Sequence, residues 1–416
     1  MQQPMPGYLL KSTRILSIIN MNNQYTRIVL KSGKDQSVRR FHPWVFSGAI
    51  KKIYGQVNEG DVVTVYSNKD EFLGLGHYQI GSIAVRVFSF EDVDLNEDFW
   101  KGKLQKAYQL RQSLGLTDRV DTNVYRLVHA EGDGLPGLIV DFYNGTAVMQ
   151  MHSIGMYQMR YELANYLKEI IGEKLVAVYD KSAKTIPFKS DVSPEDGFLL
   201  GYSDPGVVSE YGNLFNVDWV EGQKTGFFID QRENRYLLQQ YSKDRDVLNM
   251  FCYTGGFSFF AMKGEARMVH SVDASGPAID LTRENVELNF PGDPRHDAFV
   301  ADAFEYLKDI KDKYDLIVLD PPAFAKHRDA LGHALKGYKR INARAFEQIR
   351  PGGIVFTFSC SQVVSKEKFR EAVFSGAAMA GRSVRILHQL SQPADHPVNI
   401  YHPEGEYLKG LVLYVE

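Results

Sequence analysis

The sequence predicts an α/β protein in three parts: a small N-terminal β-barrel, a compact α+β module and a C-terminal doubly wound sheet. Three observations carry that expectation. Residues 247–320 alternate short apolar strands with helices and set acids at strand ends, at Asp273, Asp302 and Asp320; a parallel sheet of this kind collects its ligands just beyond those ends. Residues 26–90 read instead as successive short strands, TRIVL, WVFSGAI, GDVVTVYS, FLGLGHY and SIAVRVFSF, broken by Gly, Asn and Asp turns, the pattern of a small barrel. Between these lie a helix opening at Glu97-Asp98-Phe99-Trp100, a strand, Gly-rich turn and strand, an Asn144-Gly145 hairpin, a helix through Met156 to Ile171 and the strand VAVYD, which together make a second small module.

The expected boundaries are 1–21 for a disordered tail or an over-called start, 22–95 for the barrel, 96–205 for the module and 206–416 for the sheet domain. A chain of 416 residues with 44% apolar content fills two or three cores. The net charge of -3 excludes a generally polycationic protein, so a polyanion partner requires a local basic face. Residues 21–90 offer one, with nine Lys or Arg against five Asp or Glu. Only Cys252 and Cys360 occur, which argues against a disulfide framework and for a cytoplasmic setting. Two cysteines cannot build a four-cysteine zinc site, and His129 and His152 have no supporting cluster, so no metal is expected. No apolar stretch approaches the roughly 18 residues of a membrane span.

The stretch Val247 to Asp273 organises the C-terminal part. An apolar strand runs into the turn Thr254-Gly255-Gly256, then an apolar helix, then a strand ending in Asp273. Adjacent glycines let the backbone turn sharply against a ligand, and an acid 18 residues after Gly255 can accept two hydrogen bonds from a ribose diol. The dinucleotide pattern G-x-G-x-x-G is absent, which favours a nucleoside-type ligand such as S-adenosylmethionine over NAD. Taken alone, the spacing fits an ordinary α/β turn equally well.

Three further segments invite chemistry. Glu221 to Arg232 sets polar groups at both ends of a Gly-Phe-Phe run; it can wrap a nucleoside with Phe228 stacking and Asp230 or Arg232 anchoring the loop, or be a solvated hairpin. Asp320-Pro321-Pro322-Ala323-Phe324 leaves a strand with two prolines, which fix the backbone and remove two amide donors. Cys360 follows the apolar IVFTF run at the sheet's functional edge, where Arg344 or Lys326 would lower its pKa; a cysteine packed in the core is the alternative. In the barrel, Arg39-Arg40-Phe41-His42-Pro43-Trp44-Val45-Phe46 puts two cations beside aromatics, either to grip phosphates and stack a base or as core aromatics beside a solvated arginine pair. Glu131 and Asp133 read as satisfying turn amides.

Across nearly its whole length the chain resembles the RlmI-type family of class I S-adenosylmethionine-dependent methyltransferases, which make 5-methylcytosine in large-subunit (23S) ribosomal RNA and carry an N-terminal PUA domain. The matching stretches are HPWVFSGAI, GQKTGFFIDQR, VLNMFCYTGGFS, SVD, DPPAF, GYKRIN, TFSCS, ADHPV and EGEYLKG. The resemblance implies a Rossmann-like class I methyltransferase sheet, with the small α+β module and a PUA-like barrel before it. It implies that Thr254, Gly255, Gly256 and Phe257 hold the methionine moiety, Asp273 the ribose and Asp302 the adenine amine, while Asp320 lines the junction of cofactor and base. Phe228, Asp230, Gln231, Arg232, Asn249, Phe251, Tyr253, Ala303 and Pro321 complete the implied cofactor site. Cys360 is the implied nucleophile and Asp320 its catalytic partner; Arg39, Arg40, Trp44, Lys224 and Lys326 are the contacts to RNA expected from the residues themselves. A homodimer is also implied. Methyltransferases with two cysteines read Asp-x-Pro-Cys where this chain has Ala323, so the base that removes the C5 proton is undefined. Two other readings stand beside this one: an amino-methylating enzyme, suggested by Asp-Pro-Pro before Phe, and a non-catalytic RNA-binding ribosome-assembly factor.

Overall fold

The computed structural model describes residues 25–186, 193–325 and 327–416; the expected N-terminal tail and Lys326 lie outside the described residues. Thr26–Leu30, Trp44–Phe46, Ile50–Tyr54, Val62–Tyr66, Phe72–Tyr78 and Ile83–Ser89 form one six-stranded sheet. The segment WVFSGAI is not one strand. A 3-10 turn at Ser47–Ala49 divides it, and its two halves become the opposite edges of the sheet. That turn curls the sheet around Ile28, Leu30, Val45, Val63, Val65 and Val85, all buried.

The middle module packs the helices Glu97–Ser113 and Arg160–Ile171 on a five-stranded sheet. Asn96 caps the first helix by accepting from the Phe99 amide at 3.0 Å. The expected continuous helix from Met156 is interrupted: Met159, at φ -92° and ψ 7°, separates a short helix, Ile154–Gln158, from the longer one. Trp100, Leu104, Leu163 and Leu167 share a core with Leu75 and Phe88 of the N-terminal sheet, so the two parts bury apolar surface together.

The C-terminal sheet comprises β1 (Asp246–Met250), β2 (Met268–Asp273), β3 (His296–Val300), β4 (Leu316–Leu319), β5 (Gly353–Ser359), β6 (Val384–Leu390) and β7 (Lys409–Val415), in the order β3-β2-β1-β4-β5-β7-β6. The first five are parallel, and β7 is antiparallel to both its neighbours. Helices α1 (Gly256–Lys263), α2 (Gly276–Asn289), α3 (Ala303–Tyr306), α4 (Leu331–Gln348) and α5 (Lys366–Ala380) connect the strands. Helix α3 stops after one turn, and Leu307 and Ile310 beyond it enter the core. The strand order reverses between β1 and β4, which opens a crevice over their carboxyl ends.

Candidate active site

The turn after β1 is built on unusual backbone. Phe251, Tyr253 and Gly255 have φ of 58°, 48° and 83°, left-handed values that a non-glycine residue holds only at a cost of order 1–3 kcal/mol. A Cβ on Gly255 would meet Thr282 Cγ2 at 2.7 Å, so glycine is required there on both counts. Thr254 is buried, its carbonyl accepting from Asn285 Nδ2 at 2.9 Å while its hydroxyl has no partner among the described residues. Asp273 at the tip of β2 accepts from the amides of Tyr253 and Ser275 at 3.0 and 2.9 Å; each carboxylate oxygen keeps a second acceptor position. A tight turn, an unpaired hydroxyl and an oriented carboxylate together fit the amino-acid and ribose ends of S-adenosylmethionine.

The other expected cofactor residues divide. Asp302 is exposed and caps α3, Oδ1 accepting from the amides of Phe304 and Glu305 at 2.9 and 3.0 Å, which leaves Oδ2 open. Phe257 and Ala303 are buried in the cores flanking the sheet. Gly256 lies close enough to Arg235 that a Cβ would come within 3.1 Å of Cδ. Asn249 lies inside the domain, donating to Ser258 Oγ at 2.8 Å. Arg232 is turned away from the crevice: its guanidinium spans 3.0 Å to each Asp395 oxygen and reaches the Val124 carbonyl. A residue so committed belongs to the scaffold.

Asp320 and Cys360 leave the adjacent strands β4 and β5 at the same edge, and both are partly exposed. Pro321 behind Asp320 is buried. Gln231 Nε2 donates to Asp320 Oδ2 at 3.0 Å, with its own oxygen held by Asn234 at 2.6 Å. Burial and the nearby Asp230 push the Asp320 carboxyl up to about 7. Burial also pushes the Cys360 thiol up to about 11, with Asp320 adding to the shift and Lys224 opposing it. Arg344, expected to activate the thiol, pairs with Glu347 at 2.9 Å. A second cation near the cysteine is Lys409, which sits opposite Ser359 in the β5–β7 ladder and donates to the Ser361 carbonyl at 2.6 Å. Burial lowers its ammonium to about 8, and the neighbouring Cys360 opposes that shift. Lys409 went unnoticed in the sequence, though a lysine inside the apolar run LKGLVLYV is the signal that would have found it.

The segment 221–231 folds over this edge and is anchored by the middle module. Thr225 donates to Asp141 at 2.6 Å, and Lys181 Nζ to the Gly222 carbonyl at 2.6 Å. Phe228 meets Tyr253 edge to face at 5.1 Å, and the exposed Lys224 lies 4.5 Å over the Phe228 ring and 3.8 Å from Asp230. Of the basic and aromatic cluster in the barrel, Arg39 is bound to Asp35 and Glu71. Trp44 donates to Glu131 at 2.7 Å and packs 4.3 Å from His402. These two bind protein, and Arg40 is exposed.

Comparison with known proteins accounts for this arrangement. Residues 28–90 match the PUA-like domain family and residues 203–405 the S-adenosylmethionine-dependent methyltransferase family. Ribosomal RNA large subunit methyltransferase I of Photobacterium profundum is 40% identical over 94% of this chain and 100% of its own length. The protein of that name from Alteromonas mediterranea is 37% identical, over 94% and 98%. The chain belongs to the ribosomal RNA large subunit methyltransferase I family. It is an S-adenosylmethionine-dependent methyltransferase. The solved structure of a methyltransferase candidate from Streptococcus mutans, 24% identical, superposes with a TM-score of 0.80 over 94% of this chain and 100% of that one, and shares its fold. Among the described residues, no group of three or more His, Cys, Asp or Glu is placed to hold a metal ion, and no helix is long and apolar enough to cross a membrane.

Proposed function

We propose that this enzyme methylates carbon 5 of a cytosine in large-subunit (23S) ribosomal RNA through a covalent bond between Cys360 and carbon 6. The observation that carries the reading is the pairing of a thiol and a high-pKa carboxyl at the tips of adjacent strands, beside the turn that suits the cofactor. Carbon 5 of cytosine is a weak nucleophile. Addition of Sγ to carbon 6 turns the ring into an enamine, and the protonated Asp320 donates to N3 as charge develops there. When bound, S-adenosylmethionine supplies the electrophilic methyl group. Thr254, Gly255 and Gly256 line its amino-acid end, Asp273 takes the ribose, Asp302 Oδ2 the adenine amine, and Pro321 the wall toward the base, with Phe228 and Tyr253 closing the other side. Lys409 holds a positive charge against Cys360 and favours the thiolate.

The target base must leave its stack to reach this edge. Arg40 and Lys224, both exposed, contact the RNA backbone in this reading, with the curled N-terminal sheet supplying grip beyond the site. The amino-methylating alternative loses its main support: Phe324 packs 4.7 Å from Tyr338, and Gly337 leaves the room its ring occupies, so its face is not free for a base. Family resemblance supports a homodimer and the two free thiols a cytoplasmic setting, which sedimentation and cell fractionation test. Bisulfite mapping of ribosomal RNA from cells with and without the gene tests the whole reading. One large-subunit cytosine should lose its protection in the deletion strain; an unchanged map would refute the substrate.

A further inference from the structure

We propose that Asp230 is the catalytic base that removes the proton from carbon 5 of the methylated cytosine. The inference rests on the cytosine-C5 reading and supplies the group that a chain without the second cysteine lacks. Asp230 lies in the 3-10 turn Ile229–Gln231, one residue before the glutamine that holds Asp320. Tyr407 donates to its Oδ2 at 2.7 Å, and the Lys224 ammonium is 3.8 Å from the same oxygen. Its Oδ1 is buried with no hydrogen-bond partner among the described residues. An unsatisfied buried carboxylate oxygen is costly. Arg126, whose charge lowers the Asp230 pKa, is itself bound to Asp141 at 2.6 and 2.9 Å and to His129 at 3.0 Å.

The two carboxyls of the site are held in opposite states. Burial pushes Asp230 up, but Lys224, His396 and the Tyr407 hydroxyl outweigh it and hold the group below the usual carboxylate range, whereas Asp320 is pushed up to about 7. Neighbouring carboxyls split in this way mark a proton donor and a proton acceptor. After methyl transfer, carbon 5 carries both hydrogen and methyl, carbon 6 carries Sγ, N3 carries the proton from Asp320, and the ring is a cation. Asp230 Oδ1 takes the C5 proton, and that bond's electron pair becomes the C5–C6 double bond. The C6–S bond breaks, Sγ leaves as thiolate, and the N3 proton returns to Asp320. The products are neutral 5-methylcytosine, a protonated Asp230 and a regenerated Cys360 thiolate.

His396 is the rival acceptor. Its Nδ1 lies 3.0 Å from Asp395 Oδ1, and its Nε2 is also buried without a partner among the described residues. It packs 5.1 Å from His129, on the middle-module side, whereas Asp230 adjoins the residue bonded to Asp320.

The test uses the full chain, methyl-labelled S-adenosylmethionine and an in vitro transcript of large-subunit ribosomal RNA. Asp230→Asn should accumulate a denaturant-stable protein–RNA complex that carries the methyl label. Release of 5-methylcytosine should fall by about 10²–10⁴-fold while labelled methyl still reaches the RNA, which separates a base from the cofactor contact that the resemblance implies for Asp230. Asp230→Ala should behave likewise and recover release when formate is added. Normal release by Asp230→Asn, an unlabelled complex, or accumulation in His396→Gln instead would overturn the assignment. Wild-type enzyme with a 5-fluorocytosine transcript separates the two readings, because fluorine cannot leave as a proton. A labelled complex there with normal release by Asp230→Asn refutes Asp230 alone, and absence of that complex refutes the C5 adduct itself.

Discussion

Two groups of carboxylates lie within this molecule and are treated in opposite ways. Around the site, Asp133, Asp141, Glu210 and Asp395 are each gripped by an arginine, Arg111, Arg126, Arg235 and Arg232, at 2.6–3.0 Å. Burial works against ionisation of Asp395, yet Arg232 and His396 hold it far below the usual range. At the candidate site, Asp320 has an amide and Asp230 a phenol and an ammonium 3.8 Å away. Removing one partner of a buried pair leaves an uncompensated charge, so the first group locks the segment 221–231 and the loop around Asp395 to the middle module. The second group keeps its electrostatic cost and converts it into a donor and an acceptor of protons.

That contrast is broken most severely at the thiol beside the site carboxylates. Cys360→Ser should lower single-turnover methyl transfer by at least about 10³-fold while S-adenosylhomocysteine still binds; a loss under tenfold would remove Cys360 from the chemistry. Asp320→Asn should cost about 10²–10⁴-fold and alter pH dependence in a defined sense. The wild-type acid is protonated below about 7, so its contribution fades as pH rises through that value, and the asparagine variant should lack that decline. Stability gives an independent check of the same group. A carboxyl whose folded pKa exceeds its unfolded value destabilises the fold only above the unfolded value, fully above the folded one. Asp320→Asn should therefore raise the melting temperature at pH 8 and leave it unmoved near pH 3.

The arginine-gripped group should respond in stability first. Arg232→Met should cost about 3–5 kcal/mol in denaturant unfolding with cofactor affinity unchanged in the folded fraction; loss of affinity at full stability would return Arg232 to the cofactor site. The smallest effects belong to the barrel. Arg39→Ala, which breaks contacts to Asp35 and Glu71, should leave the salt dependence of RNA binding unchanged, whereas Arg40→Ala should reduce its slope by about one unit.

Much of the site was legible because a parallel sheet turns sequence order into spatial order. The glycine turn, Asp273, Asp302, Asp320 and Cys360 each end or follow an apolar strand, and the fold brings those ends to one edge. Partners contributed from distant segments were not legible. Asp395, His396, Tyr407 and Lys409 lie around the antiparallel strand β7, after the βα alternation has ended, and only tertiary pairing carries them to the site. Periodicity also cannot tell a cation that binds RNA from one that binds protein. Arg39 and Arg40 are consecutive, and the chain places Asp35 and Glu71 beside only the first.

The central claim is that the Cys360 sulfur bonds to the pyrimidine ring at carbon 6. Mass spectrometry of the digested complex with 5-fluorocytosine RNA tests it most directly. A nucleotide bearing one added methyl group should be found on the peptide that contains Cys360. The same mass on the Cys252 peptide, or unmodified peptides throughout, would contradict the mechanism.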